Sequence, residues 1–195
     1  MCSNCDYTIH RVNHHFGWDH SILPVERVAP GSSVYFECLD SGAGHFTPGS
    51  TVADVSTLDF SKVNPVSGPI YIDGAEPGDA LKITMEGFEP SGFGWTANIP
   101  GFGLLADQFK DPALTLWSYD KTSMAPAAFS KNGRVPLKPF CGEMGVAPVR
   151  RVDREGLFVQ ANRVGLFHAA ISPQAGGAVN ARWRGRTLAI GGQTT

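Results

Sequence analysis

Histidine is concentrated near the front of the chain, beside carboxylates that could share a metal ion or a proton with it. Five of the six histidines fall there, namely His10, His14, His15, His20 and His45. Imidazole ligates metals and moves protons near neutral pH, and Asp19 and Asp40 add oxygen ligands. Adjacent residues on a strand point to opposite faces, so His14 and His15 cannot share one ion there. The cluster fits a candidate site and a set of ordinary structural histidines about equally well.

A second candidate is the segment from Pro139 to Pro148, where Cys141 and Glu143 stand two positions apart after Lys138. On a strand their side chains would share a face, and these are the residue types of a thiol amidase. A nucleophilic thiolate needs a base or a cationic field that spacing alone does not supply, so Cys141 fits a small buried side chain better. Glu143, in an apolar and glycine-rich stretch, is predicted to act as a general base or to ligate a metal.

Aromatic residues are interleaved with glycines between Gly92 and Gly103. Glycine permits sharp turns and close backbone approach, so Phe93, Trp95 and Phe102 could wall a small pocket. An aromatic surface loop would produce the same pattern. The GxG spellings are not a nucleotide-binding signature, because no strand followed by a helix surrounds them.

The elements that must position these residues are predicted to be strands. Glycine (23) and proline (14) make up about a fifth of the chain, which disfavours long helices. Apolar and polar residues alternate over 80–86, as in a half-buried strand. Further strands are predicted over 32–40, 70–73, 114–119, 156–159 and 187–190, and a short helix over 103–109. The fold class that follows is mainly β, an antiparallel β-sandwich or jelly roll.

The composition excludes several classes of protein. A hydrophobic fraction of 42% and a charged fraction of 17% over 195 residues are typical of a folded chain. The net charge of −2 gives no electrostatic case for nucleic acid or an anionic membrane as partner. No apolar run approaches the length of a membrane span, and the first twenty residues lack a signal-peptide pattern. We therefore expect a cytoplasmic protein whose four cysteines are reduced.

The charge balance changes near Pro148. Residues 1–148 carry nine basic and sixteen acidic side chains, whereas residues 149–195 carry seven arginines, no lysine and two acidic residues. We predict one β domain over 1–148 and a distinct continuation over 149–195. A chance fluctuation over so short a window would give the same asymmetry.

Taken together and in order, five blocks of the sequence resemble the acetamidase/formamidase family. They are His14 to Val25, Val28 to Asp40, Ser50 to Ile83, Gly92 to Phe109 and Pro139 to Pro148. The resemblance covers most of residues 10–148. It implies a mostly β, jelly-roll-related fold, hydrolysis of short amides to a carboxylate and ammonia, metal assistance and assembly into a homo-oligomer.

The residues above can be placed within that expected chemistry. We predict that His15, Asp40 and Glu143 converge in one site, with Glu143 and Asp40 as catalytic carboxylates. His15 is the predicted ligand of a divalent metal, zinc first. Trp18 and Trp95 are predicted to line a pocket too small for long acyl groups, so that the partner is a small amide.

The resemblance weakens after residue 148. Gly176 and Gly177 match a family GGN-x-D motif, but Ala178 replaces its asparagine and Asn180 stands where its aspartate is expected. A later run rich in carboxylate and imidazole is absent, so we expect a truncated chain with an incomplete fold and site. Two rival hypotheses are a non-catalytic β-sandwich that binds a ligand or partner through its aromatic loop, and a cupin-like oxygenase. The second lacks its alternating HxH ligand pair here.

Overall fold

The computed structural model describes residues 4–19, 21–75, 81–123, 125–146, 178–182 and 187–191. Within these ranges the chain forms thirteen β-strands and two short 3-10 helices, Val52–Thr57 and Phe60–Lys62. The strands are β1 (Tyr7–Ile9), β2 (His14–Phe16), β3 (Glu26–Val28), β4 (Ser33–Glu37), β5 (Pro65–Ile72), β6 (Thr84–Phe88), β7 (Phe93–Asn98), β8 (Ala113–Ser118), β9 (Ala127–Phe129), β10 (Gly133–Val135), β11 (Glu143–Gly145), β12 (Ala178–Arg182) and β13 (Thr187–Gly191).

The strands form two main sheets and two antiparallel ribbons. One sheet has the order β1-β4-β12-β6, and the other has the order β11-β13-β5-β2, with β3 also paired to β5. The ribbons are β7-β8 and β9-β10. Most pairings are antiparallel, but β1 with β4 and β3 with β5 are parallel. The prediction of a mainly β fold with antiparallel sheets is confirmed.

The two main sheets pack against each other through an apolar core. Ile9, Val34 and Phe36 come from the first sheet, and Ile70 and Ile72 come from β5 of the second. All five are at most 1% exposed. Burial of such side chains contributes about 1.5–3 kcal/mol each, so this core holds the sandwich together.

Strands from the end of the chain lie inside both sheets. β12 lies between β4 and β6, and β13 lies between β11 and β5. The predicted boundary near Pro148 lies outside the described residues and stays a prediction. Residues 178–182 and 187–191 nevertheless pair with strands that precede it.

The strand predictions are confirmed at β4, β5, β8 and β13, although β5 is longer than its predicted segment. β6 begins at Thr84 rather than at residue 80, and the predicted strand over 156–159 lies outside the described residues. The predicted helix over 103–109 is wrong. That segment forms successive turns, and Gly103 has a φ of +101°, which a right-handed helix does not accommodate.

Two cysteine findings bear on the chemistry. Cys5 is disulfide-bonded, so the expectation of four reduced thiols is wrong there; composition does not reveal which thiols are brought within bonding distance. Cys38 and Cys141 are buried thiols that take part in no disulfide bond. Among the described residues, neither helix is long and apolar enough to cross a membrane.

Candidate functional site

His15 and Glu143 lie in one row across the five-stranded sheet. Glu143 on β11 pairs with Gly191 on β13, Gly191 pairs with Val66 on β5, and Val66 pairs with His15 on β2. Neighbouring strands lie about 4.8 Å apart, so the backbones of Glu143 and His15 are about 14 Å apart. Directly opposed residues point to the same face of a sheet. The two side chains therefore share a face, with Val66 and Gly191 between them.

This row faces away from the core between the sheets. In the adjacent row, Met144 packs against that core, and the Ser67 hydroxyl donates a 2.7 Å hydrogen bond to the Glu37 carbonyl of β4. Successive residues alternate faces, so Glu143 and His15 lie on the opposite side. We call this side of the five-stranded sheet its outer face, although it is covered at the row itself, since Val66 is 1% exposed and the His15 Nδ1 is buried.

His15 carries a buried nitrogen that has no hydrogen-bond partner within the described structure, Nδ1. Burial lowers the pKa of His15 most strongly and the charge of His14 lowers it further, whereas a hydrogen bond to the Gly68 carbonyl and the charge of Asp19 raise it. The net shift is downward, so the imidazole is neutral at pH 7. Nδ1 is thus a buried nitrogen that no described donor or acceptor engages.

Cys141 does not share the face of Glu143. β11 begins only at Glu143, and Cys141 is 2% exposed in the core, with its Sγ 3.7 Å from the Met85 Sδ. Burial raises the pKa of Cys141 to about 12. The thiol stays protonated at neutral pH and is no nucleophile, which agrees with its interpretation as a small buried side chain.

Asp40 and Trp95 meet in a different region. The Trp95 Nε1–H donates to Asp40 Oδ2 over 2.6 Å, and the backbone N–H groups of Gly42 and Gly44 donate to the same carboxylate over 3.1 and 2.6 Å. Both oxygens of Asp40 are thus engaged. The pair lines a cavity of about 620 Å³, whose wall also includes Arg11, Phe46, Glu89 and Lys121.

Four of the five predicted site residues fall into two groups, since Asp40 and Trp95 line the cavity whereas His15 and Glu143 share the row. Asp40 follows β4 of the four-stranded sheet, whereas His15 and Glu143 lie on the outer face of the five-stranded sheet. Neither of those two residues lines the Asp40 cavity. Trp18 is 5% exposed and is also absent from the cavity wall. Convergence of His15 and Asp40 stays a prediction. Ser41, next to Asp40, accepts a 2.7 Å backbone hydrogen bond from Asn64 just before β5, the strand that pairs with β2.

Sequence reasoning missed several polar residues of the cavity, namely Arg11, Tyr35, Glu89 and Lys121. The Tyr35 hydroxyl donates to Glu89 Oε2 over 2.8 Å. These residues are separated by up to 110 positions and share no motif. Only the sheet topology brings them together.

The predicted divalent metal would need several ligating side chains close together. His15 Nδ1 is free to act as a ligand, but among the described residues no group of three His, Cys, Asp or Glu side chains could hold an ion. Protein zinc sites use three or four such ligands. The described side chains therefore do not complete a metal site, and we derive no step through a metal.

Solved structures share this fold. An acetamidase from Bacillus halodurans superposes with a TM-score of 0.71 at 22% identity, over 94% of this chain and 70% of that one. A gamma lactamase from Delftia acidovorans superposes with a TM-score of 0.67 at 16% identity, over 95% and 67%. The β-sandwich described above is thus the acetamidase fold.

Comparison of sequences gives the family. The model of the Acetamidase/Formamidase family matches residues 4–187, so the chain belongs to this family. It is 28% identical over 136 residues to a formamidase of Methylophilus methylotrophus, covering 67% of this chain and 32% of that protein. It is 30% identical over 118 residues to an acetamidase of Mycolicibacterium smegmatis, covering 54% and 29%. The chain thus spans about a third of the length of the curated relatives that it matches.

Proposed function

We propose that this chain hydrolyses short-chain amides such as formamide and acetamide to a carboxylate and ammonia, on the outer face of the five-stranded sheet. Membership of the family supports the reaction class. The observation that carries the site is the unpartnered, buried Nδ1 of a neutral His15 in the same row as Glu143.

In the proposed reaction, His15 is the base. Its Nδ1 lone pair takes a proton from a water molecule, whose oxygen forms a bond to the amide carbon. Glu143 in its protonated form donates a proton to the amide nitrogen, and the carbon–nitrogen bond then breaks to release ammonia. His15 then releases its proton to solvent, and Glu143 takes up a proton from solvent, so both residues return to their starting states.

The geometry of the row fits a small substrate. Side chains stand roughly perpendicular to a sheet, so the proposal requires both side chains to lean along the row to close the span of about 14 Å between their backbones. Val66 and Gly191 lie between the two groups. Val66 supplies an apolar neighbour for a short acyl group, and Gly191 adds no side chain beside Glu143.

Release of ammonia from formamide and acetamide by the purified chain tests the proposal. We expect turnover that His15→Gln lowers by at least about 10²-fold and His14→Gln preserves, because His14 is exposed on the other face of β2. A folded chain that binds small amides without releasing ammonia would overturn the proposal and favour a non-catalytic β-sandwich.

The remaining expectations keep the status of proposals. Zinc, a homo-oligomer and a cytoplasmic location are further proposals, made from the sequence and the resemblance. Elemental analysis of the purified protein checks the first, and a stoichiometric divalent ion would support it. Its mass in solution checks the second.

A further inference from the structure

The cavity beside Asp40 takes no part in the proposed reaction, since neither His15 nor Glu143 lines it. It lies between the end of β4, the start of β7 and residues 121 and 122 after β8. Cys38, the one thiol in its wall among the described residues, has a pKa raised to about 12 by burial. The cavity therefore offers binding rather than nucleophilic chemistry.

One side of the cavity is aromatic. The rings of Phe46 and Trp95 lie 4.4 Å apart at 47°, and both residues are at most 6% exposed. Phe88 and Phe93 continue this wall. Flat rings bind well against such surfaces, in offset or edge-to-face contact.

The carboxylates of the wall already have donors. Asp40 accepts three N–H groups, and Glu89 accepts the Tyr35 hydroxyl. Neither lacks a hydrogen-bonding partner that a ligand would have to supply. A cationic ligand would therefore compete with bonds that the protein already makes.

The cavity wall also carries two positively charged side chains, Arg11 and Lys121. Among the ion pairs of the described residues, none includes Arg11 or Lys121. Glu37 is within electrostatic reach of Arg11, but its Oε2 is held by His10 and by the Arg11 backbone N–H, each at 3.2 Å. Lys121 lies within electrostatic reach of Glu89, whose carboxylate accepts the Tyr35 hydroxyl. Two positively charged groups thus border the aromatic wall, each near a carboxylate that already accepts other donors.

We propose that this cavity binds a small organic carboxylate with an aromatic body. The carboxylate contacts Arg11 and Lys121, because charge-assisted hydrogen bonds to an anion are about twice as strong as neutral ones. The ring packs against Trp95 and Phe46. This assignment does not depend on amide hydrolysis elsewhere in the molecule.

Calorimetric titration with benzoate, acetophenone and benzylamine tests the proposal on the whole chain. The three probes share a ring and differ in charge. We expect benzoate to bind at least about tenfold more tightly than acetophenone, and the difference to shrink at high salt. Benzylamine should bind no better than acetophenone.

Matched variants identify the charges responsible. Arg11→Met with Lys121→Met should weaken benzoate binding about tenfold or more without affecting acetophenone. The control pair Arg134→Met and Lys110→Met removes the same charge outside the cavity wall and should leave binding unchanged. Lys121→Met alone, an exposed position, serves if the double variant loses its folded circular dichroism spectrum.

The proposal is distinguishable from the proposed function. His15→Gln should lose ammonia release and keep benzoate binding. Equal affinity for benzoate and acetophenone, preference for benzylamine, or an equal loss in the control pair would overturn the assignment. So would the absence of benzoate binding to the folded chain.

Discussion

The outer-face row and the Asp40 cavity differ in whether their buried polar groups have hydrogen-bond partners. In the cavity, three donors surround the Asp40 carboxylate. In the row, His15 keeps a buried nitrogen without a partner in the described structure. An unsatisfied buried polar group costs about 1–3 kcal/mol. A carboxylate that is fully engaged holds structure, whereas an imidazole nitrogen left free is available for chemistry.

The largest expected effect comes from His15→Gln, which removes the proposed base from the row. Loss of a general base lowers turnover by about 10²–10⁴-fold, so ammonia release from formamide should fall within that range. His14→Gln is the matched control and should retain turnover. Equal losses of turnover in both variants would show that the unpartnered nitrogen of His15 is not required for catalysis.

Glu143→Gln should lower turnover by about 10²-fold or more, because the amide side chain cannot exchange the proton that the leaving nitrogen needs. Binding of benzoate in the cavity should be unchanged. Initial rates of ammonia release measure the effect. Near-normal release by this variant would remove Glu143 from the site and leave His15 without its partner.

Asp40→Asn should act on stability rather than on turnover. An asparagine cannot accept three N–H donors through both terminal atoms, since its amide nitrogen is itself a donor. We expect a loss of about 1–3 kcal/mol in the free energy of urea unfolding. If turnover falls as steeply as in Glu143→Gln, the separation between the two regions fails.

Gly42→Ala should have a smaller effect in the same region. A Cβ at this position would lie 3.2 Å from both Asp40 Oδ2 and an atom of the Trp95 ring, so one of them must shift by a few tenths of an ångström. We expect a loss of about 1 kcal/mol in urea unfolding. Gly87→Ala, where a Cβ meets nothing within 4 Å, is the control for adding a methyl group.

The smallest effect is a pH dependence of stability. The folded-state pKa of His15 lies below its usual value of 6.5, so the unfolded chain binds a proton first as the pH falls. Above pH 6.5 both states are neutral and His15 adds no slope; below it, stability falls until the folded-state pKa is reached. Urea unfolding at pH 7.5 and 5.5 should show less loss in His15→Gln than in the wild type. An equal loss would contradict the assignment.

Local pattern predicted much of the fold. The alternating and β-rich segments gave β4, β8 and β13, because a half-buried strand needs a period of two. β6 began four residues later than expected, where it pairs with β12. That partner follows in the sequence by more than 90 positions, so no local pattern could place the start.

The site was less predictable because register and topology decide it. His15 and Glu143 were identified by residue type, but their common row depends on three successive pairings through β5 and β13. Asp40 and Trp95 bond across 55 positions. Spacing does not reveal that these two pairs belong to different regions, since that follows from which sheet each strand joins.

Nuclear magnetic resonance of labelled His15 and of the Trp95 indole tests the central claim most directly, because it locates a bound amide. The signals are assigned by their loss in His15→Gln and Trp95→Phe, and acetamide is titrated into the folded chain. We expect acetamide to shift the His15 imidazole signal and to leave the Trp95 indole N–H signal in place. A shift of the Trp95 signal with no change at His15 would contradict it.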